Sequence, residues 1–199
     1  SPNSWDAFTK ASQDKGYKKE FLEKKGLIKK SPKKEDHFYD GFKGRVMFPI
    51  HNLSGRPIGF GARTLVTDKK VPKYLNSPES LIYNKSGILY GIFQAKSEII
   101  KNDNCFLVEG YTDVISFHQS GIKNVVASSG TSLTSGQIKL IKRYSHNITV
   151  LYDGDEAGIK ASFRGVNMIL EEGMNVKLVI FPDGEDPDSF ARSHDPEEL

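Results

Sequence analysis

The sequence predicts an α+β N-terminal subdomain over residues 1–102, followed by an α/β domain with a parallel four-stranded sheet over residues 103–190. In the first part, short strand patterns are joined by turns that favour antiparallel pairing. In the second part, apolar strand patterns alternate with helical patterns through short joints, which is typical of a doubly wound sheet. Residues 191–199 begin another helical pattern, and we expect them to be the start of a truncated helical segment.

The N-terminal part opens with helical spacing of apolar residues over residues 4–30, interrupted near Gly16. This pattern predicts two helical pieces. We expect their aromatic residues to lie in the core, and these are Trp5, Phe8, Tyr17 and Phe21. The polar residues 29–36 are predicted to form a loop.

Two strands and a helix follow in the N-terminal part. The pattern predicts a strand over residues 42–53, where Pro49 favours an edge position or a bulge because proline lacks the amide donor of a central strand. A turn and a return strand over residues 58–65 complete an antiparallel pair. Residues 71–79 are predicted to be irregular and extended, and residues 93–101 to be helical.

The second part is predicted from the alternation of apolar runs and helical patterns. The predicted strands cover residues 105–108, 123–128, 147–152 and 176–181. The predicted helices cover residues 112–119, 134–144 and 155–172, and Gly173 is expected to cap the last of them.

Charge is distributed unevenly along the chain. Residues 1–100 hold 19 Lys and Arg against 10 Asp and Glu, whereas residues 101–199 hold 9 against 15. A basic half beside an acidic half suggests that one half holds a polyanion and the other holds cations. The alternative is that the lysines of residues 18–34 are solvated surface charges.

The composition excludes several classes of protein. The one cysteine, Cys105, cannot form an intramolecular disulfide, and no Cys/His zinc cluster is available. We expect this cysteine to be a small core residue. No apolar run is long enough to span a membrane, so we predict a cytoplasmic protein without a membrane partner.

Three acidic clusters follow predicted strands of the second part. They are Glu109 with Asp113, Asp153 with Asp155, and residues 183–188. The carboxyl ends of parallel strands lie at one edge of a sheet, where ligands bind. Grouped carboxylates repel one another unless a cation joins them, and Mg²⁺ prefers oxygen ligands.

Each cluster by itself has a simpler interpretation. Asp155 could cap the helix that follows it, and Asp183 with Gly184 could form a turn. The coincidence of three clusters at strand ends favours a metal site, and two ions would support displacement at phosphorus.

The acidic clusters resemble the TOPRIM domain, a metal-binding module with a Rossmann-like sheet. The similar stretches are Glu109-Gly110-Tyr111-Thr112-Asp113, Asp153-Gly154-Asp155-Glu156-Ala157-Gly158 and Pro182-Asp183-Gly184-Glu185-Asp186-Pro187-Asp188. Four stretches of the first half narrow the resemblance to the bacterial DnaG-type primases. They are Ser1-Pro2-Asn3-Ser4-Trp5, Arg45-Val46-Met47-Phe48-Pro49-Ile50, Gly59-Phe60-Gly61-Ala62-Arg63 and Pro72-Lys73-Tyr74-Leu75-Asn76-Ser77-Pro78-Glu79.

The resemblance implies a DNA-directed RNA polymerase that makes short RNA primers for DNA replication on a single-stranded DNA template from nucleoside triphosphates. It implies Mg²⁺ or Mn²⁺ as cofactor, with more than one ion. The implied central ligands and catalytic residues are Glu109, Asp153 and Asp155, and the implied ligands of a further metal position are Asp113, Asp186 and Asp188. The implied nucleotide- and template-binding residues are Arg45, Arg63, Lys73, Asn76 and Lys85, with Arg45 on the template side.

The family also has parts that this sequence does not contain. These are an N-terminal zinc-binding domain, a helical end to the polymerase domain and a C-terminal domain that docks on the replicative helicase. The resemblance further implies inhibition by alarmones at the nucleotide site. We therefore expect the sequence to hold much of the catalytic site and to prime poorly by itself.

Two other functions fit the same residues. The first is a TOPRIM-type nuclease, in which the metals would activate water for phosphodiester hydrolysis. The second is a non-catalytic module that binds a metal–nucleotide complex. The segment from Lys73 to Glu79 argues against a nuclease, which has no evident need for a triphosphate-binding arm.

Overall fold

The computed structural model describes residues 1–32, 37–68, 70–130, 132–152, 156–181 and 185–194. It divides into two compact units. The first contains Ser1–Ile50 and Pro57–Asn84, and the second contains His51–Arg56 and Lys85–Leu199. The predicted domain boundary at residue 102 rests on the change of sequence pattern, and it stays a prediction.

The first unit begins with two short helices, α1 (Ala7–Asp14) and α2 (Lys19–Lys24), separated at Gly16 as predicted. Strands β1 (Ile28–Lys30) and β2 (Phe38–Asp40) then pair antiparallel. The buried Asp40 carboxylate accepts hydrogen bonds from the backbone N–H groups of Phe8 and Thr9, at 2.8 and 2.9 Å. This carboxylate ties the start of α1 to the small sheet.

The predicted burial of the N-terminal aromatics is wrong. The exposed fractions are 63% for Trp5, 62% for Tyr17, 59% for Phe21 and 37% for Phe8. Leu22 is the large apolar residue of α2 that is buried. Trp5 and Tyr17 lie outside the two helices, which have only eight and six residues. Helical spacing predicts which residues share a face, but it does not say what packs against that face.

A three-stranded antiparallel sheet forms the rest of the first unit's regular structure. Its strands are β3 (Arg45–His51), β4 (Pro57–Thr64) and β5 (Tyr74–Asn76), in the order β3-β4-β5. Pro49 therefore lies in an edge strand, as predicted. The register of β4 and β5 places Arg63 opposite Tyr74 and Gly61 opposite Asn76.

The turn between β3 and β4, residues 51–56, belongs to the second unit and contacts α3 (Ile92–Asn102) there. The Lys96 ammonium of α3 donates a hydrogen bond to the Leu53 carbonyl at 2.8 Å. Gly55 has a φ of +80°, and a Cβ there would lie 2.6 Å from the ring of Phe93. Glycine at this turn satisfies both the left-handed backbone and the close approach of the ring.

The second unit contains the predicted parallel sheet, in the order β7-β6-β8-β9. The strands are β6 (Cys105–Val108), β7 (Val125–Ala127), β8 (Asn147–Tyr152) and β9 (Asn175–Ile180). The helices are α4 (Tyr111–Gln119), α5 (Ser135–Lys142), α6 (Glu156–Glu171) and α7 (Pro187–Ser193). Neighbouring strands pair parallel throughout, so the predicted fold class is confirmed.

Apolar clusters cover both faces of this sheet. One joins β6 and β8 to α3, α5 and α6, and it includes Cys105, Ile138 and Ile169. The other joins the sheet to α4 and α7, and it includes Phe117 and Ala191. Cys105 is fully buried, as predicted, and burial raises the pKa of its thiol. Gly173, with φ +70°, ends α6 as predicted.

None of the helices in the described part of the chain is both long enough and apolar enough to cross a membrane.

Candidate metal and nucleotide site

The parallel sheet places the ends of three neighbouring strands, β6, β8 and β9, side by side. Glu109 directly follows β6, and the acidic motif of Asp186 and Asp188 follows β9. The motif of Asp153 and Asp155 follows β8 in the sequence, and both residues lie outside the described residues. The end of β8 thus lies between the ends of β6 and β9, at the carboxyl edge of the sheet where ligands bind.

Glu109 and Asp113 lie at the junction of β6 and α4. Glu109 is exposed, while the Asp113 Oδ2 atom accepts a hydrogen bond from the Gly110 N–H at 2.8 Å. The Ser129 N–H donates to the Glu109 carbonyl at 3.0 Å. These hydrogen bonds fix the backbone around Glu109.

Asp186 and Asp188 lie at the start of α7. The Asp186 Oδ1 atom caps this helix by accepting from the Ser189 N–H at 2.7 Å, and the Ser189 hydroxyl is 2.9 Å from the Asp186 N–H. Asp188 is half-buried and accepts a hydrogen bond from the Ser116 hydroxyl of α4. Ser116 lies one turn after Asp113 on the same helix, so Asp113 and Asp188 lie on adjoining surfaces.

The donor chemistry at this edge fits a hard divalent cation, because all the predicted ligands are carboxylates. Glu185 adds an independent observation, since its Oε2 atom is buried and has no hydrogen-bond partner in the described structure. A buried carboxylate oxygen without a partner is unfavourable unless a cation or donor joins it. Among the described residues, no group of three potential ligands is already gathered in metal-binding geometry.

The first unit brings two of the predicted cationic residues to the Tyr74 ring and a third, Arg45, to the Lys73 carbonyl. The Arg63 guanidinium carbon lies 5.7 Å and the Lys73 ammonium 5.9 Å from the centre of the Tyr74 ring. Arg45 Nη1 donates to the Lys73 carbonyl at 3.3 Å. Lys73 is exposed, whereas Arg45 is 7% exposed, and burial lowers the pKa of its guanidinium. Arg45 thus supports the segment that carries Lys73.

The two remaining predicted residues lie in different units. Asn76 is half-buried in β5, in the first unit, and Lys85 is half-buried in a 3₁₀ turn of the second. The fully buried Gln137 of α5 holds that turn through its Nε2 atom, which donates to the carbonyls of Lys85 and Ile88 at 3.1 and 3.0 Å. The Thr134 hydroxyl donates to the Ser86 carbonyl at 2.6 Å.

Three features of these surfaces were not predicted from the sequence. The Lys43 ammonium lies 3.9 Å from the centre of the exposed Trp5 ring, and Trp5 also contacts Tyr39 edge-on at 5.9 Å. The Ser116 hydroxyl hydrogen-bonds Asp188, and the Gln137 side chain hydrogen-bonds the Lys85 carbonyl. Their partners are 72 and 52 positions away along the chain, so sequence spacing carried no signal for these contacts.

Two family models match the chain. Residues 106–191 match a model described as "Toprim-like", and residues 1–96 match "DNA primase catalytic core, N-terminal domain". The parallel sheet thus lies in a Toprim-like domain. Toprim-like domains and primases are metal-dependent in general.

Individual relatives define the family. A DNA primase of Clostridium acetobutylicum is 45% identical over 193 residues, which are 96% of this chain and 31% of that protein. The solved catalytic core of the Escherichia coli primase is 38% identical with a TM-score of 0.90, covering 99% of this chain and 63% of the solved one. The chain therefore belongs to the DNA primase family of DnaG type.

Solved relatives include complexes with nucleic acid. A DnaG primase catalytic domain bound to single-stranded DNA is 38% identical with a TM-score of 0.86, and the match covers 98% of this chain and 63% of that one. This chain spans about a third of the length of the curated relatives and about three-fifths of the solved structures.

Proposed function

We propose that this chain carries the metal and nucleotide sites of a primase that synthesises short RNA primers on single-stranded DNA. One observation carries the proposal. The strands β6, β8 and β9 are consecutive neighbours in a parallel sheet, and each is followed in the sequence by one of the acidic motifs. That order favours the meeting of carboxylates from three distant segments, as divalent cations require.

In this proposal Glu109, Asp153 and Asp155 hold the central ion, and Asp113, Asp186 and Asp188 hold a further one. Mg²⁺ or Mn²⁺ bound there would neutralise charge as a 3′-hydroxyl attacks the α-phosphorus of a nucleoside triphosphate, which forms a phosphodiester bond, breaks the α–β phosphoanhydride bond and releases pyrophosphate. The carboxylates of Asp113, Asp186 and Asp188 each accept a hydrogen bond in the structure, so these side chains are oriented before any ion arrives.

The cationic residues have a separate task. Lys73 and Arg63 present positive charge beside Tyr74, and a triphosphate is stabilised by such groups. Asn76 and Lys85 complete the proposed nucleotide-binding set. Arg45, which is buried against the Lys73 carbonyl, acts by supporting this surface and the template path. Trp5 beneath Lys43 adds an aromatic surface on which a template base could stack.

Partners and location follow from the same assignment. The substrates are nucleoside triphosphates, the template is single-stranded DNA, and the product is an RNA primer. The replicative helicase would bind a domain of the longer protein, alarmones would compete at the nucleotide site, and the location would be the cytoplasm. The solved relative with bound single-stranded DNA supports the template.

The test is metal-dependent RNA synthesis on single-stranded DNA by the full-length protein and by its Asp153→Ala variant. We expect synthesis by the unchanged protein and its loss in the variant. Undiminished synthesis by the variant would overturn the proposal. Cleavage of DNA without added nucleotides would favour the nuclease instead, and binding of nucleotide without any turnover would favour the non-catalytic module.

A further inference from the structure

Both oxygens of the Asp188 carboxylate are already engaged. The Ser116 hydroxyl of α4 donates a hydrogen bond to Oδ1. The Arg192 Nη2 atom, one turn further along α7, lies 2.7 Å from Oδ2. Arg192 Nε also donates to the Asp188 backbone carbonyl at 3.1 Å, so the guanidinium is held at two points.

The two partners of Asp188 contact different oxygens of its carboxylate and differ in charge. Ser116 is 7% exposed, is neutral, and fixes the carboxylate against the helix that carries Asp113. The Arg192 side chain is 65% exposed and carries a full positive charge, while the Asp188 side chain is 18% exposed. A hydroxyl orients a carboxylate without opposing a metal ion, whereas a guanidinium occupies the oxygen that a cation would use and repels the cation.

We propose that Ser116 and Arg192 set the affinity of the Asp188 cation position in opposite directions. Ser116 is a positioning residue that favours the ion by orienting the carboxylate. Arg192 is a built-in competitor that holds Oδ2 until the ion displaces it. The inference rests on the proposed function, because that assigns Asp188 to a metal.

The competition should keep this position weak. The Arg192–Asp188 pair is one helical turn apart and partly exposed, so solvent screens it and the ion can separate it. Removing Arg192 should therefore strengthen cation binding at the Asp188 position, because its guanidinium lies on the Asp188 Oδ2 atom.

The experiment is a titration of the metal-free protein with Mn²⁺, read by the electron paramagnetic resonance signal of free Mn²⁺. Asp188→Asn identifies the position that depends on this carboxylate. Arg192→Gln and Ser116→Ala are then compared with Lys139→Gln. That control removes a 65% exposed cation from its ion pair with the 21% exposed Glu172, which matches the Arg192 pair closely.

We expect Arg192→Gln to tighten Mn²⁺ binding at the Asp188 position by about three- to tenfold relative to Lys139→Gln, which reports the general loss of positive charge. We expect Ser116→Ala to weaken the same position about threefold or more, and Ser116→Thr, which keeps the hydroxyl, to restore it. Thermal unfolding without metal accompanies each titration, so that a loss of folding is seen separately.

If Arg192→Gln shifts the affinity no more than Lys139→Gln does, Arg192 is not a competitor. If Ser116→Ala lowers the unfolding temperature but binds Mn²⁺ normally in the folded state, the serine only links α4 to α7. Either of these two results overturns the inference and leaves the proposed function standing. If Asp188→Asn removes no Mn²⁺ position, the metal assignment of Asp188 fails, and the inference fails with it.

Discussion

The two compact units hold their charged side chains in different ways. In the first unit, the cations Arg63, Lys73 and Lys43 lie near the rings of Tyr74 and Trp5. In the second unit, the carboxylates of Asp113, Asp186 and Asp188 accept hydrogen bonds from N–H, hydroxyl or guanidinium groups.

The difference matches the ligands that we assign to the two surfaces. A metal ion requires oxygen atoms at fixed distances, and directional hydrogen bonds supply that order. A triphosphate or a nucleic-acid backbone changes position along the reaction, and long cationic side chains lying on aromatic rings can follow it.

The largest expected effect concerns the anionic surface. Glu109→Gln keeps the size of the side chain and removes its charge, so we expect primer synthesis by the full-length protein to fall by about 1,000-fold, because cation neutralisation contributes several kcal/mol. Folding should be unchanged, since Glu109 is exposed. Glu98→Gln, which alters an exposed ion pair with Lys101, is the control. Retention of half the activity by Glu109→Gln would contradict the assignment.

The second prediction concerns Lys85, a cation whose backbone is fixed by the second unit's hydrogen bonds. Gln137→Met preserves volume and removes both donors to the Lys85 and Ile88 carbonyls. We expect the free energy of unfolding to fall by about 2–3 kcal/mol, because buried carbonyls lose their partners. Urea unfolding measures this, with the exposed Lys139→Met of the same helix as control. Equal stability of the two variants would show that the Gln137 contacts are dispensable.

The third prediction concerns the cationic surface. Lys73→Ala should raise the KM for nucleoside triphosphates by about tenfold, as expected for the loss of one hydrogen bond to a charged group. The fold should persist, because Lys73 is exposed and its carbonyl, which receives Arg45, remains. Lys70→Ala, three residues earlier and also exposed, should leave the KM unchanged. An equal rise in the KM of both variants would show that Lys73 acts only as general surface charge.

The smallest effect concerns the interior of the parallel sheet. Burial raises the pKa of the Cys105 thiol in the folded protein, so the neutral thiol is favoured there. The unfolded thiol ionises near pH 8.5, and the stability that comes from this difference is present below that pH and is lost as pH rises. Between pH 8 and 9.5 we expect the unchanged protein to lose about 1 kcal/mol more than Cys105→Ala. Parallel losses measured by urea unfolding would contradict this.

The sequence predicts the second unit better than the first for a physical reason. Its strands and helices bury long, regularly spaced apolar stripes, so the period alone located β8 over Asn147–Tyr152 and the helix that follows it. In the first unit the helices are short, and the same spacing led to a wrong prediction for Trp5, Tyr17 and Phe21, whose exposure depends on what packs against them.

The candidate site also has features that the sequence pattern predicts and features that it does not. Residue type and the predicted parallel sheet led to the prediction that the carboxylates share an edge, because the carboxyl ends of parallel strands meet there, and the meeting of all three acidic motifs stays a prediction. Contacts between distant segments are not predictable in this way. The Ser116–Asp188 and Gln137–Lys85 hydrogen bonds depend on how α4, α5 and α7 pack, and no local pattern encodes them.

The central claim is that the three acidic motifs form one metal site that works with the cationic residues. The most direct measurement is a crystal structure with Mn²⁺ and a nucleoside triphosphate bound, in which the anomalous signal of manganese locates the ions. We predict manganese within about 2.0–2.4 Å of carboxylate oxygens of Glu109, Asp153 and Asp155, and phosphates near Lys73 and Lys85. Manganese away from these carboxylates, or phosphates bound elsewhere, would contradict the claim.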